Sequence, residues 1–63
     1  MITIDPTLNP LEVMIIAEEL QKRGVTYYDM RPGNDCVWVS YNRLETYWIF
    51  REGRLADIQI DWK

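Results

Sequence analysis

Polar and apolar residues alternate along the C-terminal part of the chain, over residues 36–62. This stretch reads CVWVSYNRLETYWIFREGRLADIQIDW, and two short polar segments, Asn42-Arg43 and Glu52-Gly53, divide it. Alternation with period two is typical of strands whose successive side chains lie on opposite faces of a sheet. Short connections make consecutive strands antiparallel. The pattern predicts strands over residues 36–41, 44–51 and 55–62.

Two further segments favour extended structure. Residues 25–30, VTYYDM, are rich in β-formers and predict a strand. The segment that follows, RPGND over residues 31–35, contains Pro-Gly and predicts a type II turn. Residues 1–4, MITI, form either a short additional strand or a frayed end.

The segment between these strands carries both ends of a helix. Asn9 is a good N-cap, Pro10 fits the first helical position, and Glu12 stands three residues after the cap. Lys22 lies where a cation opposes the helix dipole, and Gly24 suits the position after the C-cap. These signals predict a helix of about four turns.

The helix has one apolar stripe and a smaller apolar pair away from it. Leu11 and Ile15 lie one turn apart among acidic and basic residues, and we interpret them as a secondary contact patch. The alternative is an ordinary surface, because exposed Leu and Ile are common. The stripe itself follows helical spacing and consists of Val13, Ile16, Ala17 and Leu20.

Together these elements predict a single domain, residues 1–63, of the α+β class. We expect one N-terminal helix packed on a four-stranded antiparallel meander, with a short extra N-terminal strand as a possible addition. A chain of this length supports one small core and no more.

The last strand suggests which face of the sheet the helix covers. Its even positions hold Ile58 and Ile60, whereas Asp57, Gln59 and Asp61 stand at odd positions. If Glu52-Gly53 is a two-residue loop, alternation then predicts that the helix covers the face with Trp38, Tyr47, Ile49 and Ile58. A bulge at Gly53 would exchange the faces of the last strand.

On that assignment the other face carries an uncovered apolar cluster. Clusters with an apolar area of several hundred Å² mark interaction sites. Alternatively, the N-terminal segment 1–8 folds over it. The expected binding residues are Val39, Tyr41, Trp48, Phe50 and Leu55, with Asp57 and Asp61 as a polar rim.

Composition excludes several classes of function. The net charge is −3, from ten acidic and seven basic residues, so the basic footprint of a nucleic-acid binder is absent. Cys36 is the single cysteine and there is no histidine, so we expect no intramolecular disulfide, no Cys/His metal site and no cofactor. The longest apolar run, residues 13–17, is too short to span a bilayer, and no signal peptide is evident. We expect a cytoplasmic protein.

The residues for common catalytic mechanisms are also missing. Without histidine the usual base for a Ser or Cys nucleophile is absent, and Cys36 fits a small apolar core residue better than a reactive thiol. Asp57 and Asp61 stand four residues apart on a strand, roughly 13 Å, too far to share a proton. We therefore expect neither an enzyme nor a small-molecule substrate.

The sequence thus predicts a small protein-binding module, an adaptor or inhibitor, with Trp48, Phe50, Tyr41 and Val39 as anchors. Asp57 and Asp61 would steer a basic partner. Two alternatives are a homodimer formed through the same face, with function on the helix and loops, and a single-stranded nucleic-acid binder, which the acids disfavour. Small acidic domains are frequent in phages and mobile elements. This suggests a phage or mobile-element origin, although no particular residue supports it.

Overall fold

A computed structural model describes residues 1–61. One helix packs on one five-stranded sheet in the order β1-β2-β3-β4-β5, which confirms the α+β class and shows the additional N-terminal strand. Trp62, predicted to belong to the last strand, lies outside the described residues. The elements are β1 Ile2–Ile4, α1 Pro10–Lys22, β2 Tyr28–Pro32, β3 Val37–Tyr41, β4 Leu44–Arg51 and β5 Arg54–Asp61.

The helix caps follow the sequence signals. The Asn9 side chain accepts a hydrogen bond from the Leu11 amide at 2.9 Å, and Pro10 opens the helix. At the other end Gly24 adopts φ 72°, in the left-handed region, and the Val25 amide bonds back to the Leu20 carbonyl at 2.9 Å. The chain therefore leaves the helix directly toward β2.

The meander predicted for the C-terminal part is present, and its two hairpins have two-residue turns. Asn42 and Arg43 have φ of 50° and 63°, and Glu52 and Gly53 have φ of 54° and 76°. Two consecutive positive φ angles characterise type I′ turns, whose twist matches that of the flanking strands. These turns fix β3, β4 and β5 as antiparallel neighbours.

The N-terminal strand makes the sheet mixed. β1 runs parallel to β2, with Ile4 opposite Met30, and α1 is the crossover between the two strands. The Asp5 amide continues the ladder by donating to the Met30 carbonyl at 3.1 Å. Residues 1–8 therefore extend the sheet sideways instead of folding over its open face, and Leu8 packs against the core.

The helix covers the opposite sheet face to the one expected. Ile16 and Leu20 pack with Met30, Val39 and Trp48, and all five side chains are fully buried. The prediction that Trp38, Tyr47 and Ile49 form the helix-covered face is therefore wrong.

A bulge in β5 is the physical reason for the error. Ile49 pairs with Asp57, but Phe50 pairs with Leu55, so Ala56 has no partner in the ladder. The extra residue shifts the alternation of β5 by one position. Ile58 consequently lies opposite Trp48 on the helix side, while Asp57 joins the other face. The bulge falls at Ala56 and not at Gly53.

Candidate interaction face

The sheet face opposite α1, called the outer face here, is not covered by any described element. Rows of side chains cross it from strand to strand, as the pairing register shows. Its members are Thr3, Asp29, Ser40, Glu45 and Asp61 in one row, Arg31, Trp38, Tyr47 and Gln59 in the next, Ile49 with Asp57 in a third, and Arg51 with Arg54 at the end.

Two aromatic rings occupy the centre of this face. Trp38 and Tyr47 are directly paired between β3 and β4, and their ring centroids lie 4.1 Å apart at an interplanar angle of 82°. This edge-to-face geometry is favourable for aromatic pairs. Both side chains are half-buried, so each fixes the other while presenting part of its surface to solvent.

The β2–β3 turn holds Trp38 from one side. The Gly33 amide donates to the Cys36 carbonyl at 2.9 Å, which brings the glycine backbone against the indole. A Cβ added at Gly33 would lie 2.5 Å from Nε1 of Trp38 and 2.7 Å from Sγ of Cys36. Only glycine therefore allows the turn to approach this closely.

A depression of about 310 Å³ lies beside Trp38 and is also lined by Arg31 and Pro32. The rigid indole thus forms one wall of a hollow large enough for a partner's side chain. Hollows next to fixed aromatic rings are typical sites for the central residues of an interface.

The polar row beside the aromatic pair contains a hydrogen-bonded cluster. Ser40 donates its hydroxyl to Glu45 Oε2 at 2.8 Å, and the Arg31 guanidinium lies 3.5 Å from the same oxygen. Arg31 also approaches Asp29 at 4.0 Å. Since Arg31 and Asp29 are about half-exposed, these ion pairs contribute little stability, but they neutralise part of the acidic charge.

Asp57 and Asp61 have polar neighbours but no cationic partner among residues 1–61. Asp57 accepts a hydrogen bond from the Ile58 amide at 2.8 Å and from the Gln59 amide group at 3.3 Å. Asp61 lies close enough to the Tyr47 hydroxyl to raise the pKa of that hydroxyl. Both carboxylates can therefore receive a cation from another molecule without breaking an ion pair.

The environment of Tyr47 is electrostatically negative. Partial burial, then the hydrogen bond to Asp61, then nearby negative charges including Glu45, raise the pKa of the Tyr47 hydroxyl above 10.0. All these causes favour the neutral phenol. The Tyr47 hydroxyl is therefore neutral and lies near Asp61.

The predicted site residues are divided between the two faces. Val39 and Trp48 are fully buried beneath the helix, so in this fold neither offers surface to a partner. Tyr41, Phe50 and Leu55 are half-buried and pack against the same core. Asp57 and Asp61 lie on the outer face, where the bulge places them.

The secondary patch on the helix is smaller than expected. Leu11 is 64% exposed, whereas Ile15 is half-buried. Trp38 and Tyr47 were missed as candidate anchors because the face assignment put them in the core. Their neighbour Ser40, a polar residue on the same face of β3, was the signal that could have identified this face as the open one.

The chemistry of the described residues is limited. The pKa of the Cys36 thiol is raised by burial and by the Asp35 charge, so the thiol is protonated at neutral pH. No group of three or more potential metal ligands occurs within residues 1–61. In the same part of the chain, no helix combines the length and apolarity needed to cross a membrane.

Comparisons with family models, curated proteins and solved structures find no match to this chain.

Proposed function

We propose that this protein is a non-catalytic binding module, an adaptor or inhibitor, whose outer face holds a basic segment of another protein. The observation that carries the proposal is the half-buried Trp38–Tyr47 pair at the centre of an uncovered sheet face bordered by carboxylates.

The aromatic pair supplies the contact surface. Rigid Trp and Tyr side chains at the centre of an interface dominate the binding energy of many complexes, because they bury large areas at low entropic cost. Trp38 is held by Tyr47 on one side and by Gly33 on another. The ring is therefore preorganised, and a partner binds without first ordering it.

The acids define the chemistry of the partner. Asp57 and Asp61 form no ion pair with the described residues, and Asp29 and Glu45 share the single guanidinium of Arg31. Opposite charges across an interface steer association and exclude wrong partners. A segment with Arg or Lys residues around an apolar side chain complements this surface.

The same charges disfavour the two alternative occupants of this face. A second outer face would add four carboxylates and only three guanidinium groups, so the two faces repel each other on balance. A nucleic acid would bring phosphates against Asp29, Asp57 and Asp61, whereas aromatic platforms for single strands lie in basic grooves. The half-buried tyrosine and tryptophan therefore suit a polypeptide better than an oligonucleotide.

Two features support the proposal that the protein is not a catalyst. The Cys36 thiol is protonated at neutral pH, which makes it a poor nucleophile. Asp57 and Asp61 stand four positions apart on β5, and each has a different polar neighbour. Because the cysteine is unpaired, we also propose a reducing compartment, the cytoplasm, as its location.

Selection of peptides from a random library displayed on phage, followed by titration of the selected peptides, tests the proposal. We expect the selected sequences to be rich in Arg and Lys. Trp38→Ala should weaken their binding at least tenfold, equivalent to about 1.4 kcal/mol. Leu11→Ala is the matched control, since Leu11 is exposed on the opposite side of the molecule and its loss should leave affinity unchanged.

Charge and anchor contributions can be separated. The double variant Asp57→Asn, Asp61→Asn should lower affinity and reduce its dependence on salt, because both changes remove charge with little change of shape. Selected peptides that are acidic or neutral, or whose binding depends on Leu11 and not on Trp38, would refute the proposal.

A further inference from the structure

The two free edges of the sheet, β1 and β5, differ in how well they are protected. β5 carries the bulge at Ala56, and the Asp57 carboxylate accepts a hydrogen bond from the Ile58 amide at 2.8 Å. Bulges and charged side chains prevent an edge strand from pairing with another chain. β1 has neither device: Ile2–Ile4 is a regular strand without a charged residue.

The backbone of β1 presents its free hydrogen-bonding groups at Ile2 and Ile4. The Tyr28 amide donates to the Met1 carbonyl at 3.4 Å, and the Asp5 amide donates to the Met30 carbonyl. Odd-numbered residues therefore direct their groups toward β2. Since alternate residues of a strand direct their groups to opposite sides, the N–H and C=O groups of Ile2 and Ile4 point to the open edge.

The side chains along this edge are apolar and exposed. Ile2 is 53% exposed, Ile4 39%, and Met14 of the adjacent helix 52%. Ile2 and Met14 line the same cleft of about 350 Å³ between β1 and α1. An open backbone edge is thus bordered on the helix side by apolar surface that water covers in the isolated chain.

We propose that a second copy of this chain pairs antiparallel with β1 about a two-fold axis at Thr3, joining two sheets into one of ten strands. In this register Ile2 lies opposite Ile4 of the partner, and each such pair exchanges two hydrogen bonds. All the outward groups of Ile2 and Ile4 are then satisfied. Facing residues also lie on the same side of the sheet, which an antiparallel pair requires.

Neighbouring registers are poorer. A two-fold axis at Ile4 would place Ile2 opposite Pro6, which has no N–H to donate. The register at Thr3 instead opposes two threonines on the outer face, a favourable cross-strand pair, and brings Ile2, Ile4 and Met14 of both copies together on the helix side. A second copy is therefore a complementary occupant of this edge without help from another partner.

Sedimentation equilibrium over a range from micromolar to millimolar protein tests the pairing. We expect the mass to rise to twice 7.6 kDa. Ile2→Pro removes an outward N–H without touching the ladder to β2, so it should return the mass to the monomer value. Ile60→Lys on the other edge is the matched control and should remain dimeric. A monomeric wild-type chain, or a folded Ile2→Pro variant that still dimerises, would overturn the proposal.

Two further experiments keep the test valid if proline prevents folding. Met14→Glu changes an exposed helix residue and should raise the dissociation constant at least tenfold. In a Cys36→Ser background, Thr3→Cys should form an intermolecular disulfide, because facing residues of a non-hydrogen-bonded pair have Cα atoms about 4.5 Å apart, within disulfide range. Ile2→Cys should crosslink more slowly. Equal crosslinking rates at positions 2 and 3 would refute the register.

Discussion

The Trp48 indole donates its N–H to the hydroxyl of Thr46 at 2.9 Å, deep in the core between sheet and helix. The same hydroxyl donates to the Val39 carbonyl at 2.6 Å. Both side chains are fully buried, so this short relay connects β3 and β4 where no water can replace it. It explains how a threonine and an indole N–H are accommodated in an otherwise apolar core.

Thr46→Val should destabilise the fold by about 1–3 kcal/mol. Valine has nearly the same shape but cannot accept the Trp48 N–H, which is left buried without a partner. Urea unfolding measures the change as a lower midpoint at constant slope. Thr46→Ser, which keeps the hydroxyl, should lose less than Thr46→Val, and the opposite order would contradict the relay.

Trp48→Ala and Trp38→Ala should have opposite consequences. Removing the fully buried Trp48 costs about 3–5 kcal/mol, and a 63-residue chain has a total stability of roughly 3–9 kcal/mol. We expect Trp48→Ala to be largely unfolded and Trp38→Ala to be folded, as judged by far-UV circular dichroism and thermal unfolding. A folded Trp48→Ala together with an unfolded Trp38→Ala would reverse the face assignment.

Gly33→Ala should disturb the outer face specifically. Its Cβ would lie 2.5 Å from Nε1 of Trp38, so the ring or the turn must move, at a cost of about 1–3 kcal/mol typical of overpacking. The Trp38 Nε1–H resonance reports the displacement. Gly53→Ala is a useful contrast: its φ of 76° strains the turn, but a Cβ there meets nothing within 4 Å, so the Trp38 resonance should not shift.

Asp61→Asn should lower the pKa of Tyr47 toward 10.0. The substitution keeps a hydrogen-bond acceptor but removes the negative charge, and Asp61→Leu should lower the pKa further by removing the acceptor. Since the folded pKa is raised, the stability contributed by neutral Tyr47 is complete below pH 10.0 and is lost as the pH rises through the folded value. NMR titration of the tyrosine Cζ resonances follows the change, and an unaltered Tyr47 pKa in both variants would exclude the contact.

The local elements of this fold were predictable because their signals are local. Asn9, Pro10 and Gly24 define the helix ends through backbone geometry that depends only on neighbouring residues. The strands of the meander follow from alternation, and the segments at 42–43 and 52–53 are short enough to require hairpins. Each of these inferences uses a window of a few residues.

The pairing of β1 and the choice of face depended on longer-range effects. Whether β1 joined the sheet, and in which direction, depended on where α1 returns the chain, which composition does not encode. No glycine or proline at Ala56 indicates a bulge in the sequence, yet the bulge exchanges the faces of Ile58 and Asp57. β3 indicates the correct face through Val37 and Val39, whereas the pattern of β5 indicates the opposite face.

The position of the candidate site depends on the same long-range effects. Asp57 and Asp61 were predicted as a polar rim from their position on β5, and they do lie on the open face. The anchors were assigned to the wrong side, because a single unpaired residue reverses every side chain beyond it. Trp38 and Tyr47 replace Trp48 and Phe50 as the aromatic surface available to a partner.

The parallel pairing of β1 with β2 has a kinetic consequence. Ile4 and Met30 are 26 positions apart (30 − 4), whereas Tyr41 and Leu44 close the β3–β4 hairpin across two residues. Loop-closure entropy therefore favours the hairpins early and β1 last, after α1 and β2 are in place. Amide protons of β1 should exchange with solvent faster than those of β4. The ordered edge assigned to self-association is thus the last part of the sheet to form.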